Sequence, residues 1–235
     1  VNPGACGFDR WLSAPNFYDN DPILSREGKA VVLKGESSVV TADAAAEFIR
    51  AQVKAGKPFL AVVWFGSPHL PHQASPEDYA AYARHGEKKA NYYGEIAGLD
   101  RAVGKLREEL RSLGVREDTL LWYCSDNGGI ADVSVTGGRK QKGSIYEGGL
   151  RVPGIIEWPA RIVRPRVTAV PSNTVDIYPN AAKPQPKREN AEEAFSGKNG
   201  VVEAPFRSRT PCRTRTRSSS SSLLPLSPYW AAVIE

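Results

Sequence analysis

The stretch that decides the fold is residues 120–129, Leu-Leu-Trp-Tyr-Cys-Ser-Asp-Asn-Gly-Gly. Its first five residues favour β structure and predict a buried strand, which ends at a carboxylate, an amide and two glycines. Ligands of open α/β sheets bind beyond the carboxyl ends of the strands, so Asp126 and Asn127 would offer hard oxygen ligands there. Residues 125–128 are also typical of a plain turn, in which Asp and Asn bond their own backbone, and taken alone they favour the turn.

A second apolar run, residues 58–65, has the unbroken hydrophobic character of a central parallel strand. It leads into Ser-Pro-His-Leu-Pro-His at residues 67–72, which places His69 in the loop that follows. A short helix capped by Ser75, and then a longer one over about residues 88–113, are predicted next. Strand, helices and second strand in this order form a βαβ-type crossover, so the sequence predicts an α/β fold.

The rest of the first 179 residues adds less regular structure. Residues 1–40 are rich in turn formers and predict loop with brief strands near residues 30–33. Thr41 is the predicted cap of a helix that ends near residue 55. A polar loop with seven glycines spans residues 128–149, and a third strand is predicted at residues 152–158.

The composition argues against a nucleic-acid-binding protein, a Cys-x-x-Cys zinc or redox site and a membrane-spanning protein. The net charge is +5, but residues 1–179 carry 22 basic and 21 acidic side chains, so nearly all of the excess lies in residues 180–235. Residues 1–179 therefore give little support to nucleic-acid binding, and they show no basic face interleaved with aromatic residues. None of the three cysteines belongs to a Cys-x-x-Cys pattern, and no apolar run approaches the roughly 20 residues of a membrane span.

Residues 180–235 differ in character from residues 1–179. They are rich in Pro, Lys, Arg and Ser and show no helical or strand period, which predicts a disordered or out-of-frame tail. The sequence begins with Val and contains no Met, so it is interpreted as a fragment that is incomplete at its N-terminus. Two domains are thus predicted, a partial catalytic domain and this tail.

Three loops near the predicted strands contribute the candidate site residues, which are His69, the pair Asp126 and Asn127, and Lys142. Carboxylate and amide oxygens suit a divalent cation, while an imidazole and an ammonium would neutralise a sulfate or phosphate ester. Each residue has a simpler interpretation as well. His69 and His72 are then ordinary loop histidines, and Lys142 belongs to a solvated charge run with Arg139 and Lys140. Glu147 and Arg151 are predicted to form a structural ion pair.

The order of the motifs resembles that of the formylglycine-dependent sulfatases, in particular the bacterial arylsulfatase A-like enzymes. The matching segments are residues 7–11 (Gly-Phe-Asp-Arg-Trp), 65–72 (Phe-Gly-Ser-Pro-His-Leu-Pro-His), 92–100 (Tyr-Tyr-Gly-Glu-Ile-Ala-Gly-Leu-Asp), 119–129, 142–153 (Lys-Gly-Ser-Ile-Tyr-Glu-Gly-Gly-Leu-Arg-Val-Pro) and 171–179 (Pro-Ser-Asn-Thr-Val-Asp-Ile-Tyr-Pro). The resemblance implies an alkaline-phosphatase-like sandwich with a central, mostly parallel sheet flanked by helices. It also implies metal-assisted hydrolysis of sulfate esters.

By motif match, Asp126 and Asn127 are similar to the family's Ca²⁺ ligands. Lys142 matches the lysine that contacts the sulfate, and His69 the histidine that hydrogen-bonds it and helps the leaving group. The family's nucleophile is a formylglycine made in Cys/Ser-x-Pro-x-Arg, a motif that this sequence lacks. The resemblance therefore implies a nucleophile in an upstream segment and a fragment that is inactive alone.

The resemblance leaves the substrate open between a sulfated small molecule and a sulfated glycan, and it implies a periplasmic or secreted enzyme. A phosphoester or phosphonate hydrolase of the same superfamily is the alternative activity, because tetrahedral anions beside a metal need similar ligands. A non-catalytic anion-binding relative is the alternative outside the enzymes.

Overall fold

The structure is a computed structural model that describes residues 2–13, 19–174 and 229–233. The chain divides into two compact units, Val1–Arg164 with Pro225–Glu235, and Pro165–Leu224. The described helices and strands belong to the first unit. They are β1 (Leu12–Ser13), β2 (Ile23–Arg26), β3 (Lys29–Val32), α1 (Ser37–Lys54), β4 (Leu60–Val63), α2 (Pro76–Tyr82), α3 (Glu87–Ser112), β5 (Thr119–Cys124), α4 (Glu147–Leu150), β6 (Gly154–Glu157) and β7 (Tyr229–Val233).

The main sheet has the strand order β4-β7-β5-β6. Strands β4 and β5 both pair in parallel with β7, whereas β6 pairs antiparallel with β5. The sheet is therefore mixed, with a parallel centre and an antiparallel edge strand. Because β4 and β5 run in the same direction, their carboxyl ends reach the same edge, about 10 Å apart across one intervening strand.

The core lies between this sheet and the helices α1 and α3. Apolar side chains of both helices pack on those of β4 and β5, including Ile49, Val63, Leu106 and Leu121, each no more than 6% exposed. The other face of the sheet carries Leu60 and Trp64, which are 56% and 60% exposed. Among the described residues, the helices thus cover one face of the sheet.

Two features differ from the sequence prediction, one long-range and one local. Strand β7 comes from the predicted tail, where Tyr-Trp-Ala-Ala-Val lies between β4 and β5. The remainder of residues 180–235 lies outside the described residues. Helix α1 begins at Ser37 and is capped by Glu36 rather than by Thr41, because the Glu36 carboxylate accepts hydrogen bonds from the N–H groups of Ser38 and Val39, each at 3.0 Å.

The other predicted elements between residues 19 and 158 form with small changes at their ends. Ser75 caps α2 by accepting from the N–H of Asp78, as expected for Ser before Pro and acidic residues. Helix α3 and strand β5 cover the predicted ranges to within a residue. The brief strand predicted near residues 30–33 is β3, which completes a small antiparallel sheet with β1 and β2. No helix in the described part of the chain has the length and apolar character of a membrane span.

Candidate functional site

The residues directly after β5 form a tight corner. The Ser125 hydroxyl donates to the Asn127 carbonyl oxygen at 2.9 Å, and the Asn127 amide nitrogen donates to the Asp126 carboxylate. Asp126 is exposed, whereas the side-chain oxygen Oδ1 of Asn127 is buried and has no hydrogen-bond partner among the described residues. The chain bends at Asp126 and Asn127, but their side chains bond each other rather than their own backbone as the turn prediction required. One buried oxygen of the candidate metal ligands is left unsatisfied.

The loop that carries Lys142 packs against this corner through its backbone. Lys142 donates its N–H to the Gly129 carbonyl oxygen at 3.0 Å, and Gly128 donates to the Gly149 carbonyl at 2.9 Å. A Cβ on Gly128 would overlap the carbonyl oxygen of Gly148, so only glycine permits this approach. The structure therefore brings the Lys142 loop to the Asp126–Asn127 corner, and the Lys142 side chain is exposed to solvent.

The same loop corrects one prediction. In place of the expected ion pair between Glu147 and Arg151, the Arg151 backbone N–H donates to the Glu147 carbonyl at 2.8 Å in the short helix α4. The Arg139 guanidinium lies 3.6 Å from the centre of the Tyr146 ring, which is the geometry of a cation–π contact. The Arg139–Tyr146 contact and backbone hydrogen bonds therefore shape this loop, in place of the predicted ion pair.

His69 reaches the same edge of the sheet from β4. Its N–H donates to the Gly66 carbonyl at 3.1 Å, and its ring nitrogen Nδ1 lies 2.7 Å from the Leu70 carbonyl oxygen. A carbonyl only accepts, so Nδ1 carries a proton and the other ring nitrogen, Nε2, is an acceptor whenever the ring is neutral. His69 is exposed, and its strand ends at the same edge of the sheet as the strand that leads to Asp126, with β7 between the two.

The prediction of His72 as an ordinary loop histidine is wrong. Its side chain is 4% exposed and pairs with that of Glu95, which is 1% exposed, with His72 Nδ1 2.8 Å from Glu95 Oε2. Burial raises the pKa of Glu95 to about 8, and burial together with the positive charge of His69 and Lys88 lowers the pKa of His72. Sequence reasoning missed this pair, because the partners lie 23 positions apart on a loop and a helix.

The Asp126–Asn127 corner has donor atoms that suit part of a Ca²⁺ site. The unsatisfied Oδ1 of Asn127 and the exposed Asp126 carboxylate are hard oxygen donors of the kind that Ca²⁺ prefers, so the corner fits this ion. The described residues contain no group of three or more His, Cys, Asp or Glu side chains that could hold a metal. Since Ca²⁺ takes about six to eight oxygens, the corner fits as part of a larger ligand set.

Comparison with known proteins gives the family. A sequence model described as Sulfatase matches residues 2–183. An ulvan-active sulfatase of Formosa agariphila is 30% identical over 198 residues, covering 74% of this chain and 38% of the relative. A steryl-sulfatase of Mus musculus is 32% identical over 154 residues, covering 60% of this chain and 23% of the relative.

Solved structures agree with the sequence matches. The crystal structure of Ps i-CgsB superimposes with a TM-score of 0.61 and 28% identity, covering 67% of this chain and 41% of that protein. The same protein has been solved in complex with k-i-k-neocarrahexaose. This chain spans about two fifths or less of the length of each of these relatives. The match over residues 2–183 covers most of the sequence, and the chain therefore belongs to the sulfatase family.

Proposed function

We propose that this chain forms part of the active site of a sulfatase that hydrolyses sulfate esters. Asp126 and Asn127 would hold Ca²⁺, and His69 and Lys142 would bind the sulfate group. The observation that carries the proposal is the hydrogen bond from the Lys142 N–H to the Gly129 carbonyl. This bond joins the loop that carries Lys142 to the corner that carries Asp126 and Asn127. The comparisons give no support to a phosphoester or phosphonate hydrolase or to a non-catalytic relative.

The chemistry of each side chain suits that role. Bound Ca²⁺ would supply positive charge that stabilises the negative charge of the sulfate group. The Lys142 ammonium is a compact cation in an exposed position, so it is free to meet a sulfate oxygen that approaches from solvent. His69 Nε2 accepts a hydrogen bond when the ring is neutral, and once protonated it can donate that proton to a leaving-group oxygen.

The bond-forming group is proposed to come from outside residues 1–235. This sequence contains no Cys/Ser-x-Pro-x-Arg motif, from which the family makes its formylglycine. Positioning by His69 and Lys142 does not replace a nucleophile in covalent catalysis. We therefore expect residues 1–235 alone to bind sulfate without turning over sulfate esters.

The proposed substrates are sulfate esters on glycans. Two relatives support this class, one described as an ulvan-active sulfatase and the other solved in complex with k-i-k-neocarrahexaose. The exposed side chains of Lys140 and Arg151 lie in the same glycine-rich region as Lys142. They would add positive charge for a substrate that carries several sulfate groups.

Titration with inorganic sulfate in the presence of Ca²⁺ tests this proposal without requiring turnover. The chain has three histidines, so imidazole NMR signals can be assigned by single substitutions. We expect sulfate to shift the His69 signals in the wild-type chain and in Lys89→Ala, an exposed lysine of α3, and to lose this effect in Lys142→Ala. Equal shifts in Lys142→Ala and the wild type would contradict the proposed site.

A further inference from the structure

Glu95 anchors the loop that carries His69 to α3. Its Oε1 accepts a hydrogen bond from the Gln73 N–H at 2.9 Å, while its Oε2 lies 2.8 Å from His72 Nδ1. One residue further on, the Ala74 N–H donates to Asn91 Oδ1 of the same helix at 3.1 Å. Three consecutive residues of the loop are therefore fixed on α3, directly after the segment that contains His69.

Burial and a neighbouring like charge favour a neutral Glu95. Glu36 at the start of α1 faces Glu95 with a like charge, while His69 and Lys88 place positive charge near His72 and disfavour an imidazolium there. Among the described residues no Lys or Arg forms an ion pair with Glu95, although its side chain is only 1% exposed. A buried carboxylate without such a partner is costly, and a protonated one is not.

The hydrogen bond between the two side chains determines which imidazole nitrogen of a neutral His72 carries the proton. With a neutral acid and a neutral imidazole, the Glu95 O–H donates to His72 Nδ1, so the imidazole proton lies on Nε2. The raised pKa of Glu95, to about 8, and the lowered pKa of His72 agree with this arrangement at neutral pH. Loss of the Glu95 proton at higher pH would move the imidazole proton to Nδ1, so that it faces the new carboxylate.

We propose that Glu95 is a positioning residue: as a neutral carboxylic acid bonded to His72 and Gln73, it holds the loop that presents His69. The importance of this loop for catalysis rests on the proposed function, whereas the state of the pair does not. In Glu95→Gln, the side-chain amide has the same shape as a carboxylic acid. Its NH₂ group can donate to His72 Nδ1 while its oxygen accepts from the Gln73 backbone N–H. It therefore mimics the neutral acid and not the carboxylate.

Imidazole NMR of the full chain without sulfate or metal tests the proposal separately from the proposed function. His85→Gln and His69→Gln assign two of the three histidines, and the third is His72. At pH 7 we expect His72 to be neutral with its proton on Nε2, both in the wild type and in Glu95→Gln. Above about pH 8 only the wild type should move the proton to Nδ1.

The His69 signals report the position of the loop. They should match the wild type in Glu95→Gln and in Glu108→Ala, an exposed residue of α3, and should shift in Glu95→Ala. If Glu95→Ala does not fold, the comparison of Glu95→Gln with the wild type decides. The proposal is overturned if wild-type His72 at pH 7 is an imidazolium or carries its proton on Nδ1, if Glu95→Gln shifts His69, or if a folded Glu95→Ala leaves His69 unchanged.

Discussion

The backbone N–H of Lys142 lies 3.0 Å from the carbonyl oxygen of Gly129, two residues beyond Asn127. This bond places the part of the loop that carries Lys142 against a corner with an unsatisfied, buried amide oxygen. Because the loop and the corner are joined by backbone hydrogen bonds, their arrangement does not depend on side-chain ion pairs, which salt would screen. The corner and the loop are thus one structural unit, and the predictions below test it and its supports.

Gly128→Ala should destabilise the chain by about 1–3 kcal/mol, the usual range for forcing extra atoms into a packed region. Its new methyl group would overlap the carbonyl oxygen of Gly148, where backbone cannot move aside cheaply. The matched control is Gly104→Ala in α3, where a Cβ meets nothing within 4 Å and helix propensity favours Ala by about 1 kcal/mol. Urea denaturation measures both, and equal stability of the two variants would show that the corner and the loop do not touch.

Arg101→Ala should remove stability that depends on pH. The Asp78 carboxylate is 7% exposed and accepts hydrogen bonds from two Arg101 nitrogens at 2.5 and 2.6 Å. Hydrogen bonds from Arg101 and Ser75 hold the pKa of Asp78 below its usual value, despite burial. Since the folded pKa is depressed, this stability is present above the unfolded value of about 3.9 and is lost as pH falls through the folded pKa.

We expect Arg101→Ala to cost about 1.5–3 kcal/mol at pH 7, the range for hydrogen bonds to charged groups, and less at pH below 3. The control is Arg111→Ala, whose ion pair with Glu108 is exposed on the surface of α3 and should contribute at most about 0.5 kcal/mol. Thermal or urea unfolding at several pH values gives the comparison. A cost of Arg101→Ala that does not change between pH 7 and pH 3 would show that the Asp78 charge is not its cause.

Calcium should bind residues 1–235 weakly. Asp126 and Asn127 are only two side chains with at most three ligand oxygens, so we expect a Kd of about 10⁻³ M or weaker, at or beyond the weak end of protein Ca²⁺ sites. Asp126→Asn should abolish this binding, while Asp132→Asn, which removes an exposed carboxylate that pairs with Lys88, should leave it unchanged. Isothermal titration calorimetry measures the affinity, and micromolar binding that survives Asp126→Asn would place the ion elsewhere.

Much of this fold follows from local patterns in the sequence. Helix α3 and strand β5 could be predicted because their apolar residues repeat at helical or strand spacing, and α2 because Ser75 and Pro76 mark its start. The cap of helix α1 is predicted five residues too late, at Thr41 instead of Glu36, because Glu is not a preferred cap residue. Strand β7 was missed because its pairing with β4 joins Tyr229–Val233 to residues more than 160 positions earlier.

The candidate site was only partly accessible to sequence reasoning. Motifs identify Asp126, Asn127 and Lys142, but the bond from Lys142 to Gly129 depends on the path of the glycine-rich loop. The pairing of His72 with Glu95 gives no sequence signal, because each residue alone has the pattern of an exposed loop or helix surface. Both partners are buried because the loop packs on the helix, and this packing is a feature of the tertiary structure.

The most direct test of the account is turnover by a chimera in which residues 1–235 follow the upstream segment of the ulvan-active sulfatase of Formosa agariphila. With Ca²⁺ present and the nucleophile motif supplied, we predict hydrolysis of an aryl sulfate. Lys142→Ala should lower kcat/KM by about 10²–10³-fold, as loss of one charge-stabilising group typically does, while Lys89→Ala should not. A folded chimera that is inactive, or whose activity survives Lys142→Ala, would contradict the account.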